Sequence, residues 1–133
     1  MSRDITVKES KVHGKGVFAA KDFRKDDVVL EWHPTILTKS RAHSLLARDR
    51  HYLYKVGRKY LFMQPPERYV NHSCEPNTQP KDYSDVAIKD IARGEEITSD
   101  YGEGNPVGFK CRCGSKNCRG FIGEEKTQKQ DLS

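Results

Sequence analysis

The four cysteines of this 133-residue chain fall into a cluster of three and a single distant one. Cys111, Cys113 and Cys118 lie within eight residues of each other, whereas Cys74 lies in the middle of the chain. Three thiolates at this spacing can occupy three corners of a tetrahedral zinc site, and Cys74 is the only thiol left for the fourth. The pattern predicts one structural zinc ion that fastens the C-terminal tail to the middle of the chain.

Disulfide bonds and an iron–sulfur cluster are the alternative uses of these thiols. The N-terminus, Met1 to Asp4, lacks the apolar stretch of a secretion signal, so we expect reduced thiols. Cys111 and Cys113 are also too close in sequence to pair comfortably with each other. The number and spacing of the thiols favour zinc.

Composition predicts a single soluble domain. The chain has 35% hydrophobic residues and a mean hydropathy of −0.86, a small apolar supply for which a metal cross-link would compensate. No apolar run approaches the roughly 20 residues that span a bilayer, so no membrane contact is expected. We expect an intracellular chain, in the cytoplasm if its source is prokaryotic and in the nucleus or on chromatin if it acts in a eukaryotic cell.

Short alternating segments predict a mostly β fold. Tyr52–Tyr54 and Tyr60–Phe62 flank a glycine turn like a hairpin, and Val86–Ile88 and Glu96–Thr98 flank a second glycine turn. The one clear helical candidate runs from Ser40, as its cap, to about Arg50.

Three segments carry residues suited to a binding site. Gly14-Lys15-Gly16 is a tight turn, which alone usually marks nothing more than a turn. The loop Asn71-His72-Ser73-Cys74-Glu75-Pro76-Asn77 concentrates hydrogen-bonding groups, as ligand-holding loops do. Gly94-Glu95-Glu96-Ile97-Thr98-Ser99-Asp100-Tyr101-Gly102 places a tyrosine at the end of a predicted strand.

In this order, and with the cysteine cluster following, these segments resemble the SET-domain protein lysine methyltransferases that carry a post-SET zinc motif. The resemblance runs from about Lys11 to Gly123. It implies small curved β-sheets with a C-terminal pseudoknot and one short helix, plus a zinc-bound post-SET tail. It further implies a SET domain over residues 1–104, a post-SET segment over 105–123 and a disordered tail over 124–133.

The resemblance also implies an activity, the transfer of a methyl group from S-adenosylmethionine to a lysine of a protein substrate. Tyr101 is then the catalytic residue, which orients the methyl group and the amine. The implied cofactor-binding residues are Gly14, Lys15, Gly16, Tyr52, Asn71, His72 and Phe109, with Phe121 as an alternative to Phe109 over the adenine. The implied zinc ligands are Cys74, Cys111, Cys113 and Cys118.

Ser99 departs from the family pattern, because the residue two before the catalytic tyrosine is usually aromatic. That position helps to set how many methyl groups are added. A serine leaves room for di- or trimethylation, unless Tyr54 or Tyr69 fills the space from another strand.

The distribution of charge along the chain indicates which kind of partner it would bind. Residues 75–103 carry 3 basic and 8 acidic side chains, which suits a basic protein segment, such as a histone tail, that presents an exposed lysine. The sequence does not decide whether the chain forms a homodimer.

The two rival functions are a catalytically silent SET-like peptide-binding module and a zinc-dependent nucleic-acid-binding protein. The basic residues are too scattered to favour direct nucleic-acid binding.

Overall fold

The structure is a computed structural model that describes residues 4–11, 14–50, 52–100, 109–110, 116, 118–119 and 121–122. For residues 47–48, 109–110 and 121–122 it describes the backbone alone. Tyr101, Cys111 and Cys113 therefore lie outside the described residues.

The described part of the chain is mostly β, as predicted. Its strands are β1 (Ile5–Glu9), β2 (Lys15–Ala19), β3 (Val28–Glu31), β4 (Thr35–Leu37), β5 (Leu53–Val56), β6 (Lys59–Phe62), β7 (Asn71–His72), β8 (Thr78–Pro80), β9 (Ser84–Ala87), β10 (Glu96–Ser99), β11 (Phe109–Lys110) and β12 (Phe121–Ile122). Its helices are α1 (Lys39–His43), α2 (Ala47–Arg50) and a 3-10 turn, Glu67–Tyr69.

The largest sheet has the strand order β1-β2-β10-β8-β9-β3, and β7 also pairs with β10. β10 comes late in the chain yet lies in the middle of this sheet, antiparallel to β2 and parallel to β7 and β8. Val17 of β2 pairs with Ile97 of β10, and both side chains are 0% exposed. The main hydrophobic core therefore includes the contact between β2 and β10, two strands that are far apart in the sequence.

A smaller sheet has the order β4-β6-β5. β5 and β6 form the predicted hairpin, and Gly57 turns between them with φ +59°, a conformation that glycine adopts without strain. Ala42 of α1 packs on Leu53 and Tyr60 to give this sheet a core of its own. No helix among the described residues has the length and apolar character needed to cross a membrane.

The helical segment predicted from Ser40 to Arg50 consists of two short helices. α1 begins two residues earlier than predicted, with Thr38 instead of Ser40 as its cap, because the Thr38 side chain accepts a hydrogen bond from the Arg41 N–H. It ends at Ser44, whose hydroxyl donates to the Arg41 carbonyl at 2.8 Å. Serine side chains that bond their own backbone in this way compete with helix continuation.

Candidate active site

Two segments that the sequence predicts to form a site lie side by side. In the parallel pairing of β7 with β10, Asn71 is opposite Thr98 and His72 is opposite Ser99. The Ser73 N–H continues the contact by donating to the Ser99 carbonyl at 3.0 Å. The polar loop that begins at Asn71 therefore runs alongside the strand that leads to position 101.

The Asn71 side chain fixes this loop to the glycine turn. Its Nδ2 group donates to the Lys15 carbonyl at 3.0 Å and to Glu96 Oε2 at 2.9 Å. The Ser10 hydroxyl lies 2.8 Å from both carboxylate oxygens of Glu96. Glu96 thus joins three segments that are distant in sequence, a role that its position in a run of acidic residues did not predict.

Gly16 lies directly against this network. A Cβ on residue 16 would lie 2.5 Å from Glu96 Oε2 and 2.9 Å from Ser10 Cβ, distances that real Cβ atoms do not adopt. Gly14, by contrast, has open space but a φ of +44°. The two glycines are therefore required for different reasons, close packing at residue 16 and backbone conformation at residue 14.

Asn77, at the end of the same loop, holds the loop to β10. Its Nδ2 group donates to the Glu96 carbonyl and its Oδ1 accepts from the Thr98 N–H, each at 2.8 Å. The Asn77 carbonyl accepts from the Ile88 N–H at 3.0 Å. These bonds hold both ends of the Asn71–Asn77 loop in place.

His72 is buried and neutral at pH 7. Burial lowers its pKa to about 4, although Asp100 opposes this effect. The ring Nδ1 lies 3.6 Å from Asp100 Oδ1, and Nε2 lies 3.4 Å from Cys74 Sγ. The imidazole therefore packs between the loop cysteine and the residue that precedes Tyr101.

Part of the C-terminal tail lies against Cys74. The Arg119 backbone N–H and Nε–H donate to Cys74 Sγ at 3.3 Å and 3.4 Å, and Arg119 Nη2 donates to Asp100 Oδ1 at 2.6 Å. Cys118 is adjacent to Arg119 in the chain. Cys74 and the neighbourhood of Cys118 thus meet, whereas Cys111 and Cys113 lie outside the described residues.

Phe109 belongs to β11, where its backbone pairs with Ile122 of β12. Phe121, the alternative adenine contact, pairs with Lys110 in the same short hairpin. The side chains of these strands lie outside the description, so the choice between the two phenylalanines stays a prediction.

Tyr52 and Lys15 border one region through Tyr69. The Tyr52 and Tyr69 rings meet edge to face with centroids 6.4 Å apart, and Lys15 Nζ lies 5.4 Å from the Tyr69 centroid. The Arg68 guanidinium lies 4.3 Å from the centroid of the Tyr52 ring. Together with the bond between Asn71 and Lys15, these contacts connect three of the predicted cofactor-binding residues, Lys15, Tyr52 and Asn71.

A cavity of about 50 Å³ lies beside this region. The residues that line it are Trp32, Tyr52, Leu53, Tyr54, Met63, Glu67, Arg68, Val70, Pro80, Asp85 and Ser99. Ser99 and Tyr54 both line the cavity, whereas Tyr69 does not. The space next to the small serine is therefore bordered by Tyr54, one of the two tyrosines considered from the sequence.

Asp85 is the unexpected member of this lining. Asp85 is 2% exposed, and Trp32 Nε1 donates a hydrogen bond to Asp85 Oδ2 at 3.0 Å. Burial raises the pKa of this carboxyl to about 7, with a further contribution from Glu67, against the lowering effect of the Trp32 bond. The sequence showed Asp85 only as one of several acidic residues. Its place directly before the apolar run Val86-Ala87-Ile88 was the available sign of burial.

Comparison with known proteins identifies the family of this chain. The family model described as SET domain matches residues 14–102, and the chain belongs to the SET-domain family. Human "Histone-lysine N-methyltransferase 2D" is 29% identical over 139 residues, which cover 90% of this chain and 2% of the human protein. A Fusarium mangiferae "Histone-lysine N-methyltransferase, H3 lysine-9 specific KMT1" is 42% identical over 84 residues, which cover 46% of this chain and 24% of the relative.

A solved structure shares the fold. The crystal structure of a Plasmodium falciparum candidate histone methyltransferase superposes with a TM-score of 0.64 and 20% identity, covering 77% of this chain and 96% of that one. The present chain spans only a small part of the two curated relatives, 2% and 24% of their lengths.

Proposed function

We propose that this protein transfers a methyl group from S-adenosylmethionine to a lysine of a protein substrate. The observation that carries the proposal is the parallel register of β7 and β10, which aligns the Asn71–His72 segment with the strand that leads to Tyr101. Relatives over most of the chain are named histone-lysine methyltransferases. A histone tail, or another basic protein segment with an accessible lysine, is the proposed substrate.

The proposed cofactor site comprises the turn at Gly14, Lys15 and Gly16 together with Asn71 and His72. The bond from Asn71 to the Lys15 carbonyl supports it, because two segments far apart in sequence meet there. Tyr52 borders the same region, and Phe109 or Phe121 would contribute from the tail. The cofactor supplies an electrophilic methyl group on sulfur, so the protein has mainly to align this group with the amine.

We assign the catalytic role to Tyr101. Asp100, the preceding residue, is held by the Arg119 guanidinium at 2.6 Å and lies 3.6 Å from the His72 ring. These contacts support an ordered approach of the chain to position 101. The tyrosine hydroxyl would orient the amine and the methyl group, while the cavity beside Ser99 would take the end of the lysine side chain.

We further propose one structural zinc ion on Cys74, Cys111, Cys113 and Cys118, in a post-SET segment that spans residues 105–123. The contacts of Arg119 with Cys74 Sγ support it, since they bring the tail next to the loop cysteine. Four thiolates suit a closed tetrahedral zinc site with no position for water. The metal would keep the tail over the site without taking part in the reaction.

The test is incubation of the purified chain with labelled S-adenosylmethionine and histones, ribosomal proteins or a cell extract. The wild type should label at least one protein on lysine, and Tyr101→Phe should bind the cofactor but lose most of the transfer. Full transfer by Tyr101→Phe would contradict the assigned role. Cofactor binding without label in any substrate would favour the silent peptide-binding module. Elemental analysis should give one zinc per chain, and Cys74→Ser should lower that content.

A further inference from the structure

The buried carboxyl of Asp85 lies in the cavity that the proposed function assigns to the lysine side chain. β8 separates its strand from the site strand: Ser99 of β10 pairs with Thr78, and Pro80 of the same β8 pairs with Asp85 of β9. Asp85 and Ser99 both line the cavity. The carboxyl and the site strand therefore border one cavity from two sides of β8.

Aromatic rings border the same space. The Trp32 and Tyr54 rings meet edge to face with centroids 5.5 Å apart, and both line the cavity with Asp85. A carboxylate beside aromatic faces is a favourable surrounding for an ammonium group. A water molecule needs roughly 10–15 Å³ of cavity, so the space of about 50 Å³ admits the charged end of a lysine side chain.

The charged and titratable neighbours come from several elements. Glu67, in the 3-10 turn, is buried, and its Oε1 makes no hydrogen bond within the described residues. Arg68, the next residue, also lines the cavity, as do Tyr52 and Tyr54 at the beginning of β5. Burial raises the pKa of Tyr54, with Asp85 and Asp100 adding to the effect. Among the described residues, the cavity lining thus has two buried carboxyl groups, Asp85 and Glu67, and one cation, Arg68.

We propose that Asp85 receives the ε-ammonium group of the incoming lysine and takes one proton from it. In this step an N–H bond of the ammonium breaks and an O–H bond forms on the carboxylate. The products are a neutral amine, ready to attack the methyl group, and an uncharged Asp85. The proposal rests on the proposed function and adds a proton acceptor to it.

Burial favours this transfer. A free lysine has a pKa of about 10.4 and an ordinary aspartate one of about 3.9, so in water the proton stays on the amine. Inside a cavity, desolvation disfavours both charged forms and brings the two pKa values together. Burial already raises the pKa of the Asp85 carboxyl to about 7 before the lysine enters. The difference between this pKa and that of the lysine amine is therefore smaller than in water.

A substitution can distinguish Asp85 as a proton acceptor from Asp85 as a purely structural residue. Asparagine has nearly the same shape as aspartate, and its Oδ1 can still accept the hydrogen bond from Trp32. Asp85→Asn therefore retains the packing and removes the proton acceptor. The matched control is Asp82→Asn, which changes the net charge equally at an exposed position with φ +49°, a conformation that asparagine tolerates.

The kinetic test is kcat/KM against pH with the best substrate from the labelling screen. For the wild type and Asp82→Asn, kcat/KM should rise to a plateau near pH 7. For Asp85→Asn it should be about 10²-fold lower at neutral pH and should keep rising toward the pKa of lysine. A profile of Asp85→Asn with the same plateau as the wild type overturns the proposal.

A binding test does not depend on methyl transfer. The probe is n-butylammonium, which has the four carbons and the amine of a lysine side chain, and its affinity is measured by calorimetry. The wild type should bind it more tightly as pH rises through 7, while Asp85→Asn should bind at least tenfold more weakly. Equal affinity in the two proteins, or no pH dependence in the wild type, overturns the proposal. If the wild type binds the probe but labels no protein, the proposed function fails and the role of Asp85 as an ammonium site stands.

Discussion

The Glu96 carboxylate occupies the space that a side chain on residue 16 would need. A Cβ at Gly16 would come within 2.5 Å of Glu96 Oε2. Ser10 and Asn71 both bond that carboxylate, so it cannot move aside without breaking these bonds. The glycine of the turn is therefore tied to an internal contact between the first strands and β10.

Gly16→Ala should destabilise the protein by about 1–3 kcal/mol, as overpacking does. Urea unfolding measures this loss. In a Glu96→Ala background the same substitution should cost less, because the carboxylate that it would strike is gone. Strict additivity of the two changes would show that the contact with Glu96 is not the cause.

Asn71→Ala should also lower stability by about 1–3 kcal/mol, since the Lys15 carbonyl and the Glu96 carboxylate each lose a donor. Calorimetry should show weaker cofactor binding, because the glycine turn would no longer be fixed to the loop. Gln79→Ala, at an exposed position on β8, serves as the control and should stay within about 0.5 kcal/mol of the wild type. Unchanged cofactor affinity in Asn71→Ala would contradict the joint role of the turn and the loop.

Ser99→Phe should restrict the number of methyl groups that are added. Ser99 is 5% exposed and lines the cavity beside Tyr54, so a phenyl ring there would fill the space that a methylated amine needs. Mass spectrometry of the product should shift toward monomethyl-lysine. Ser99→Ala, which retains the room, should leave the distribution as in the wild type. A phenylalanine variant that still makes the wild-type distribution would remove Ser99 from this role.

Asp85 should make stability depend on pH in a defined direction. Its folded-state pKa of about 7 lies above the ordinary value of 3.8, so the carboxyl favours the folded state while it is protonated. This contribution is complete below about pH 4 and is lost progressively as pH rises through about 7, by roughly 1.4 kcal/mol per pH unit. The free energy of unfolding of Asp85→Asn should therefore increase relative to that of the wild type between about pH 4 and pH 7. Above about pH 7 the difference between the two proteins should stay constant. Urea unfolding of both proteins across these pH values checks the sign.

Local features of the fold could be predicted from the sequence. The hairpin around Gly57 follows from alternating residues on either side of a glycine, and it is confirmed. The strands Ser84–Ala87 and Glu96–Ser99 are also present, but β8 lies between them, so the turn near Gly94 does not join neighbours. Strand order depends on contacts between distant segments, which periodicity does not report.

Some residues of the candidate site could likewise be predicted from the sequence, and others could not. Asn71, His72 and Cys74 stood out because they are adjacent in one unusual loop. Glu96 and Asp85 did not, because their roles depend on burial and on partners far away in the sequence. A carboxylate in a run of charged residues is usually solvated, and only the packing around it reveals otherwise.

The central place of β10 has a consequence for synthesis of the protein. One edge of β2 stays uncovered until β10 has been synthesised, because these two strands pair. Most of the domain has therefore left the ribosome before the main core can form. Contacts of such long sequence separation slow folding and leave strand edges exposed in the meantime. The growing chain should therefore be most prone to aggregation and most dependent on chaperones just before β10 emerges.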